Sequence, residues 1–262
     1  MHQGETSDFW VQYPVDDLST RVAALHQQRR LLLESLPAKE VEIARRTVSG
    51  VFIHGNGIEA GAGARPFPIP ATAKCFYGDI RDGEQLKAYF KADEVSIDGA
   101  IDAQTYVGIE DDSLDFVISA HVIEHLENPL GSIANAIRVL KPRGVHLLVV
   151  PDLRFTFDKH RQPTPLDHLI KDAADGGLRS RITDYIAFLR DVACPEWGNQ
   201  TLDEDLEKVA TEMSERNQDI HFHAWTTETF RDLLDYASSD RSFRVVGDAF
   251  VINENIFVLE KN

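Results

Sequence analysis

At 262 residues, with 43% hydrophobic residues and only two cysteines, the chain is long enough to bury a core without a disulfide framework. Cys75 and Cys194 stand alone, with no CxxC or Cys/His ligand spacing, which excludes a zinc-finger or disulfide scaffold and fits a reducing compartment. The net charge of −16 repels polyphosphate and anionic lipid, and Arg29-Arg30 and Arg45-Arg46 fit solvated helix faces, so no nucleic-acid partner is expected.

The stretch MHQGETSDFWVQYP lacks the basic-then-apolar form of a secretion signal. No apolar run approaches the roughly 20 residues of a membrane helix, so a cytoplasmic protein with no membrane span is expected. Asp16, Asp17 and Ser19 are N-cap candidates for a helix that should end at Pro37, with a second helical stretch over 38–48 and a short β-prone run over 50–54.

Strands are then predicted at 57–60, 75–77, 95–97, 115–119 and 145–150, with helices at 82–90 and 129–140 among them. Alternation of this kind predicts an α/β fold with a parallel sheet covered on both faces. Residues 154–220 are polar and show helical periodicity over 165–174 and 178–192. A helix from Thr226 or Thr227 to Tyr236 follows, and strands at 243–246 and 256–259 flank a turn around Asn253–Asn255. The expected organisation is an N-terminal helical extension (1–48), a ligand-binding core (49–153), a helical insertion capping an acceptor site (154–220), and a closing segment with the last two strands (221–262).

Gly61 and Gly63 follow the strand at 57–60, where glycine lets the chain turn sharply and a ligand approach the backbone; a tight turn with no ligand is the plain alternative. Asp79 ends the next strand 18 residues beyond Gly61, suitably spaced to accept hydrogen bonds from ribose hydroxyls. The pairing fits a nucleoside ligand.

His121-Val-Ile-Glu124-His125 spells the HxxEH of inverted zinc proteases, which requires a helix interior. Here the run follows a strand and Pro129 opens a helix just after it, so strand–loop–helix context argues against a protease. Glu124 and His125 are still residue types that a divalent ion accepts, with His221 or His223 as candidates to complete a set. No metal is required by the pattern.

Four ordered motifs carry a resemblance over residues 57–150. Glu59-Ala-Gly61-Ala-Gly63, Ile101-Asp102-Ala103 with Ile109–Ile118, the loop His121–Pro129, and Arg138-Val-Leu-Lys-Pro-Arg-Gly144 together resemble class I S-adenosylmethionine-dependent methyltransferases. Arg65-Pro66 departs from that pattern where another glycine is usual, and KPRG replaces KPGG.

The resemblance implies a Rossmann-like, seven-stranded, mostly parallel sheet. It also implies S-adenosylmethionine bound through Glu59, Gly61, Ala62, Gly63, Asp79, Ile80, Asp102, Ala103, Ser119 and His121. His125 is the first candidate for a general base, with Asp152 second and His223 a further catalytic candidate.

Residues 151–158, 161–168 and 221–226 are similar to a bacterial subgroup associated with glycosyltransferases of surface polysaccharides. This implies O-methylation of a saccharide or sugar-nucleotide acceptor and association with glycosyltransferases; a homodimer is a separate possibility that the sequence does not decide. The competing readings are a nicotinamide-dependent oxidoreductase, which shares the glycine loop and Asp79, and a non-catalytic methyltransferase-like binding module.

Overall fold

The computed structural model describes residues 15–262, with side chains at Gln27 and from residue 35 onward. The chain forms two units, Met1–Glu40 and Val41–Asn262. Helix α1 (Val15–Phe52) accounts for the described part of the first unit and opens the second.

Asp16, Asp17 and Ser19 therefore lie inside α1, and the expected break at Pro37 is absent. A proline in a helix interior removes one backbone hydrogen bond, and α1 continues past it. The β-prone run expected at 50–54 is also corrected. Ala44, Val48, Phe52 and Ile53 pack on one face of the sheet, and burial of that stripe outweighs local strand preference.

The sheet comprises β1 (Asn56–Ala60), β2 (Lys74–Asp79), β3 (Gly99–Ala100), β4 (Leu114–Ala120), β5 (Leu140–Pro151), β6 (Phe243–Val251) and β7 (Glu254–Lys261). Its order is β3-β2-β1-β4-β5-β7-β6. The first five strands are parallel, whereas β7 runs antiparallel to both β5 and β6. This is the expected seven-stranded, mostly parallel Rossmann-like sheet. Its strand order reverses between β1 and β4, and the crevice beyond their carboxyl ends is where such sheets receive ligands.

The strand expected at 95–97 is displaced to β3. Residues 95–98 instead run as loop, with the Ser96 N–H donating to the Gly63 carbonyl and the Asp98 N–H to the Tyr77 carbonyl. The β1–β2 connection carries no helix. Pro66, Pro68 and Pro70 fall at alternate positions there, and each lacks the N–H a helix needs.

Helix α2 (Gly83–Phe90) begins with a capping box between Asp82 and Gln85. Helices α3 (Pro129–Val139) and α8 (Thr227–Ala237) cover the face of the sheet opposite α1, over a core that includes Ile58, Val117, Leu148, Val150 and Leu259. Between them lie α4 (Leu166–Asp175), α5 (Arg181–Phe188), α6 (Cys194–Trp197) and α7 (Leu206–Glu215). Helices α5 and α7 share a separate core with Val192, Ile220 and Phe222. The periodicity over 178–192 resolves into α5 and a π-helical turn, Leu189–Ala193.

The segment 221–225 returns the chain to the sheet, where Asp152 and Trp225 form a parallel bridge. The β6–β7 hairpin then turns at Ile252-Asn253. Among the described residues no helix is long and apolar enough to cross a membrane.

Candidate active site

At the carboxyl end of β1, Gly61 adopts φ +77° and Gly63 φ +54°, a region costly for residues with a side chain. A Cβ at Gly61 would lie 2.5 Å from Val122 Cγ2, and one at Gly63 would lie 2.3 Å from the Phe90 ring. The turn thus needs glycine for packing as well as conformation. Ala62 is buried between them.

Glu59 points beneath this turn, with both carboxylate oxygens accepting from the Phe67 N–H at 3.0 and 2.9 Å. Burial pushes its pKa up to about 7, against the Phe67 hydrogen bond and the Arg45 charge. Its carboxylate fastens the loop that follows the glycines.

Asp79 ends β2, and its Oδ1 accepts from the Arg81 N–H at 2.9 Å. Ile80 beside it is 69% exposed. Asp102, just beyond β3, accepts from the Gln104 N–H and the Thr105 hydroxyl. Ala103 is buried, with its carbonyl accepting from Ser132. Three adjacent parallel strands therefore deliver a bare glycine turn and two carboxylates to one edge of the sheet. These residues fit a nucleoside-bearing cofactor: backbone open to close approach, acids for ribose hydroxyls, and an uncovered apolar side chain for a base. Ser119 differs, because its hydroxyl is buried on β4 and paired with His146 Nε2 at 3.0 Å.

The loop after β4 forms the other half of the site. His121 has φ +55°, and its Nε2 pairs with Glu254 Oε1 at 2.9 Å. Arg45 grips the same carboxylate at 2.7 and 3.0 Å. Burial acts to lower the His121 pKa, but Glu124 and Glu254 outweigh it and raise the group to about 9. This side chain is committed to an ion-pair network rather than free to contact a cofactor.

Glu124 is 1% exposed, and neither carboxylate oxygen has a hydrogen bond. The Nδ1 of His121 stands 3.5 Å away. His125 holds Asp219 Oδ1 through Nδ1 at 2.7 Å, while His221 holds Asp158 Oδ2 through Nδ1 at 2.6 Å. The two rings meet edge to face, with centroids 4.6 Å apart. Burial works against the imidazolium of His125, but Asp219 and Glu124 raise its pKa overall. Asp219 also accepts from Arg81 at 2.8 Å and from the Tyr89 hydroxyl at 2.9 Å. Burial opposes its ionisation, yet these partners hold its pKa at about 2.

The other two catalytic candidates need correction. The Asp152 side chain is fully buried, its oxygens taken by the Arg154 guanidinium and by the N–H and hydroxyl of Thr227. It anchors the start of α8. His223 is also fully buried, its Nε2 donates to the Glu127 carbonyl at 3.4 Å, and burial drops its pKa to about 3. It faces His168 and Asp172, away from the His125 group.

Sequence reasoning missed Asp158 and Asp219. No local motif marks either, because each meets its histidine only through the fold. His221 was visible as a ligand candidate through its residue type alone.

Residues 61–148 match the family described as Methyltransferase domain. No curated protein matches the chain. Among solved structures, the chain is similar to a Thermotoga maritima S-adenosylmethionine-dependent methyltransferase described as a possible histamine N-methyltransferase. The two share 14% identity over 91% of this chain and 96% of that one, with a TM-score of 0.48. It is also similar to a methyltransferase from Methanosarcina mazei, at 13% identity over 82% of this chain and 96% of that one, TM-score 0.45. A third likeness is to a methyltransferase from Aquifex aeolicus, at 11% identity, 82% and 87% coverage, and TM-score 0.40. Residues 61–148 thus match a methyltransferase domain, and the strand order and the glycine turn at its switch point agree with that match.

Proposed function

We propose that the chain transfers the methyl group of S-adenosylmethionine to a hydroxyl oxygen of a saccharide or sugar nucleotide, a substrate type that places the reaction in the cytoplasm. One observation carries the placement of donor and acceptor. Gly61 leaves no room for a Cβ beside Val122, and Val122 lies in the same short loop as Glu124 and His125. The turn offered to the cofactor thus packs against the loop that carries the residues offered to the acceptor.

The cofactor, when bound, supplies an electrophilic methyl carbon. The protein's part is to hold an oxygen in line with that carbon and remove its proton. Gly61 and Gly63 admit the cofactor to the main chain, while Asp79 and Asp102 engage its nucleoside. His125, with Nδ1 fixed by Asp219, keeps Nε2 for the acceptor proton. Residues 154–220 cap this side, contributing Asp158 and Asp219.

An exposed ring surface supports the saccharide reading. Trp197, 58% exposed, meets Phe157 at 5.5 Å, and Phe157 meets His221 at 4.5 Å between centroids. A run of rings ending at the cluster suits the apolar face of a sugar.

Calorimetry on tag-free protein tests the donor. S-adenosylmethionine and its demethylated product should each bind at one site, and nicotinamide dinucleotides should not. Folded protein that ignores the first two sinks the proposal. Mass spectrometry after incubation with a panel of sugar nucleotides, oligosaccharides and amines tests the acceptor, since methylation confined to amines would overturn the oxygen assignment.

A further inference from the structure

The structure assigns to Glu124, His125 and His221 a site for one divalent first-row transition ion. Its position beside the acceptor rests on the methyltransferase reading; ion binding itself does not.

One ligand atom from each of these residues can be chosen so that all three lie within 4.8 Å of one another. That spacing lets them converge on a common ion at ligand distances near 2 Å. Both histidines use Nδ1 on a carboxylate, His125 on Asp219 and His221 on Asp158. Nδ1 thereby donates to the carboxylate, and Nε2 is the nitrogen left for an ion that displaces its proton. Among the described residues neither Nε2 has a hydrogen-bond partner. Carboxylate-held imidazoles are the usual outer support of metal-bound histidine.

The carboxylates are themselves held. Asp219 takes Arg81 and Tyr89, and Asp158 takes Arg161. Arg161 in turn donates to the carbonyls of His221 and Phe222, so the segment bearing His221 is fixed at both its ring and its backbone.

Glu124 is the independent sign of a ligand. A carboxylate removed from water without hydrogen bonds is expensive; its charged or polar neighbours are His121 Nδ1, 3.5 Å away, and the His125 and His221 imidazoles. An ion would satisfy all three groups at once. Two imidazoles and one carboxylate favour manganese, iron, cobalt, nickel or zinc over magnesium, which prefers oxygen ligands. The open positions would take water or the acceptor oxygen.

Neither neighbouring histidine belongs to the set. His121 is occupied by Glu254, and His223 lies in a separate group with His168 and Asp172 that also has ligand-like spacing. In that second group His168 Nε2 already contacts Asp172 and Asp184 at 3.0 and 3.3 Å, so that nitrogen is taken by carboxylates.

With the ion in place, His125 becomes a ligand and stops acting as the base. The ion instead lowers the pKa of the acceptor hydroxyl, whose proton passes to water as the oxygen takes the methyl group. S-adenosylhomocysteine leaves as the neutral thioether, so charge and atoms balance.

The test titrates tag-free, chelator-treated full-length protein with cobalt(II), without cofactor or acceptor. Visible absorption reports the ligand field, and calorimetry reports stoichiometry. One ion per chain is expected, displaceable by zinc and accompanied by a rise in thermal midpoint. Glu124→Gln and His221→Ala should each weaken binding at least tenfold, and Asp158→Asn should weaken it about 10- to 100-fold, as for other outer-shell partners. His168→Ala should leave it unchanged. Failure of folded wild-type protein to bind cobalt(II) or zinc overturns the site. So does binding that survives Glu124→Gln, or binding lost only in His168→Ala. Should His221→Ala fail to fold, Glu124→Gln and His221→Gln decide the matter. Because no cofactor is present, the result is independent of whether S-adenosylmethionine binds.

Discussion

Glu59 is an acid whose ionisation the fold opposes. Its pKa rises from an ordinary 4.5 to about 7, so the folded state holds a proton more tightly than the unfolded chain. The associated stability is complete below pH 4.5 and is lost as pH rises through 7, amounting to about 3 kcal/mol at 1.36 kcal/mol per unit. Glu59→Gln still offers an oxygen to the Phe67 N–H. Its urea stability relative to wild type should therefore increase between pH 5 and 8; a difference independent of pH would refute this account. Gly61→Ala should cost about 1–3 kcal/mol from the left-handed backbone, plus displacement of Val122. The expected result in calorimetry is folded protein with at least tenfold weaker cofactor binding. The strand-end positions of Gly61, Asp79 and Asp102 were legible because short spacings set them. Ser119, Asp152 and His223 were not, since His146, Thr227 and the Glu127 carbonyl reach them from distant parts of the chain.

At the scale of elements, Asp219 joins pieces that are far apart in sequence. It follows α7, yet it contacts Arg81 and Tyr89 at the two ends of α2 and His125 after β4. Arg81 lies 3.6 Å from Asp79, so the carboxylate ending β2 and the His125 ring share one network. We expect Asp219→Asn to lower kcat about 10- to 100-fold by releasing the His125 ring, as outer-shell substitutions do. Cofactor affinity should change less than threefold. Equal loss in both would instead indicate general collapse. Most strands could be read from apolar runs and turn residues, but β3 is only two residues long and gains its place from pairing with β2. Helix α7 lay unseen in a charged stretch, because its apolar stripe is thin: Leu206, Ala210 and Met213 are buried and Val209 partly so. The helix over 38–52 was read too short because its packing on the sheet has no local signature.

Across the whole molecule, the cores on the two faces of the sheet and the smaller one under α5 and α7 are of unequal security in the unit from Val41 onward. β5 is buried along its last eight residues and is paired on both sides. Helices α5 and α7 rest on a smaller group that reaches the sheet through the 221–225 segment. Native-state hydrogen exchange should therefore show amides of α5 and α7 opening at a lower free energy than those of β4 and β5. Exchange of all four elements in a single global step would exclude this. Local opening of this group would leave the sheet and its glycine turn formed.

The proline-rich connection after β1 also supplies an unusually clean probe. Pro66 and Pro68 carry no amide proton, so the Phe67 N–H stands alone between two silent neighbours, and it is the group held by Glu59. In an amide spectrum this one resonance senses the proton on a buried acid and the posture of the adjoining turn together. A titration of Glu59 and an encounter with a ligand at Gly61 can thus be followed at a single nucleus, without any label placed in the cleft.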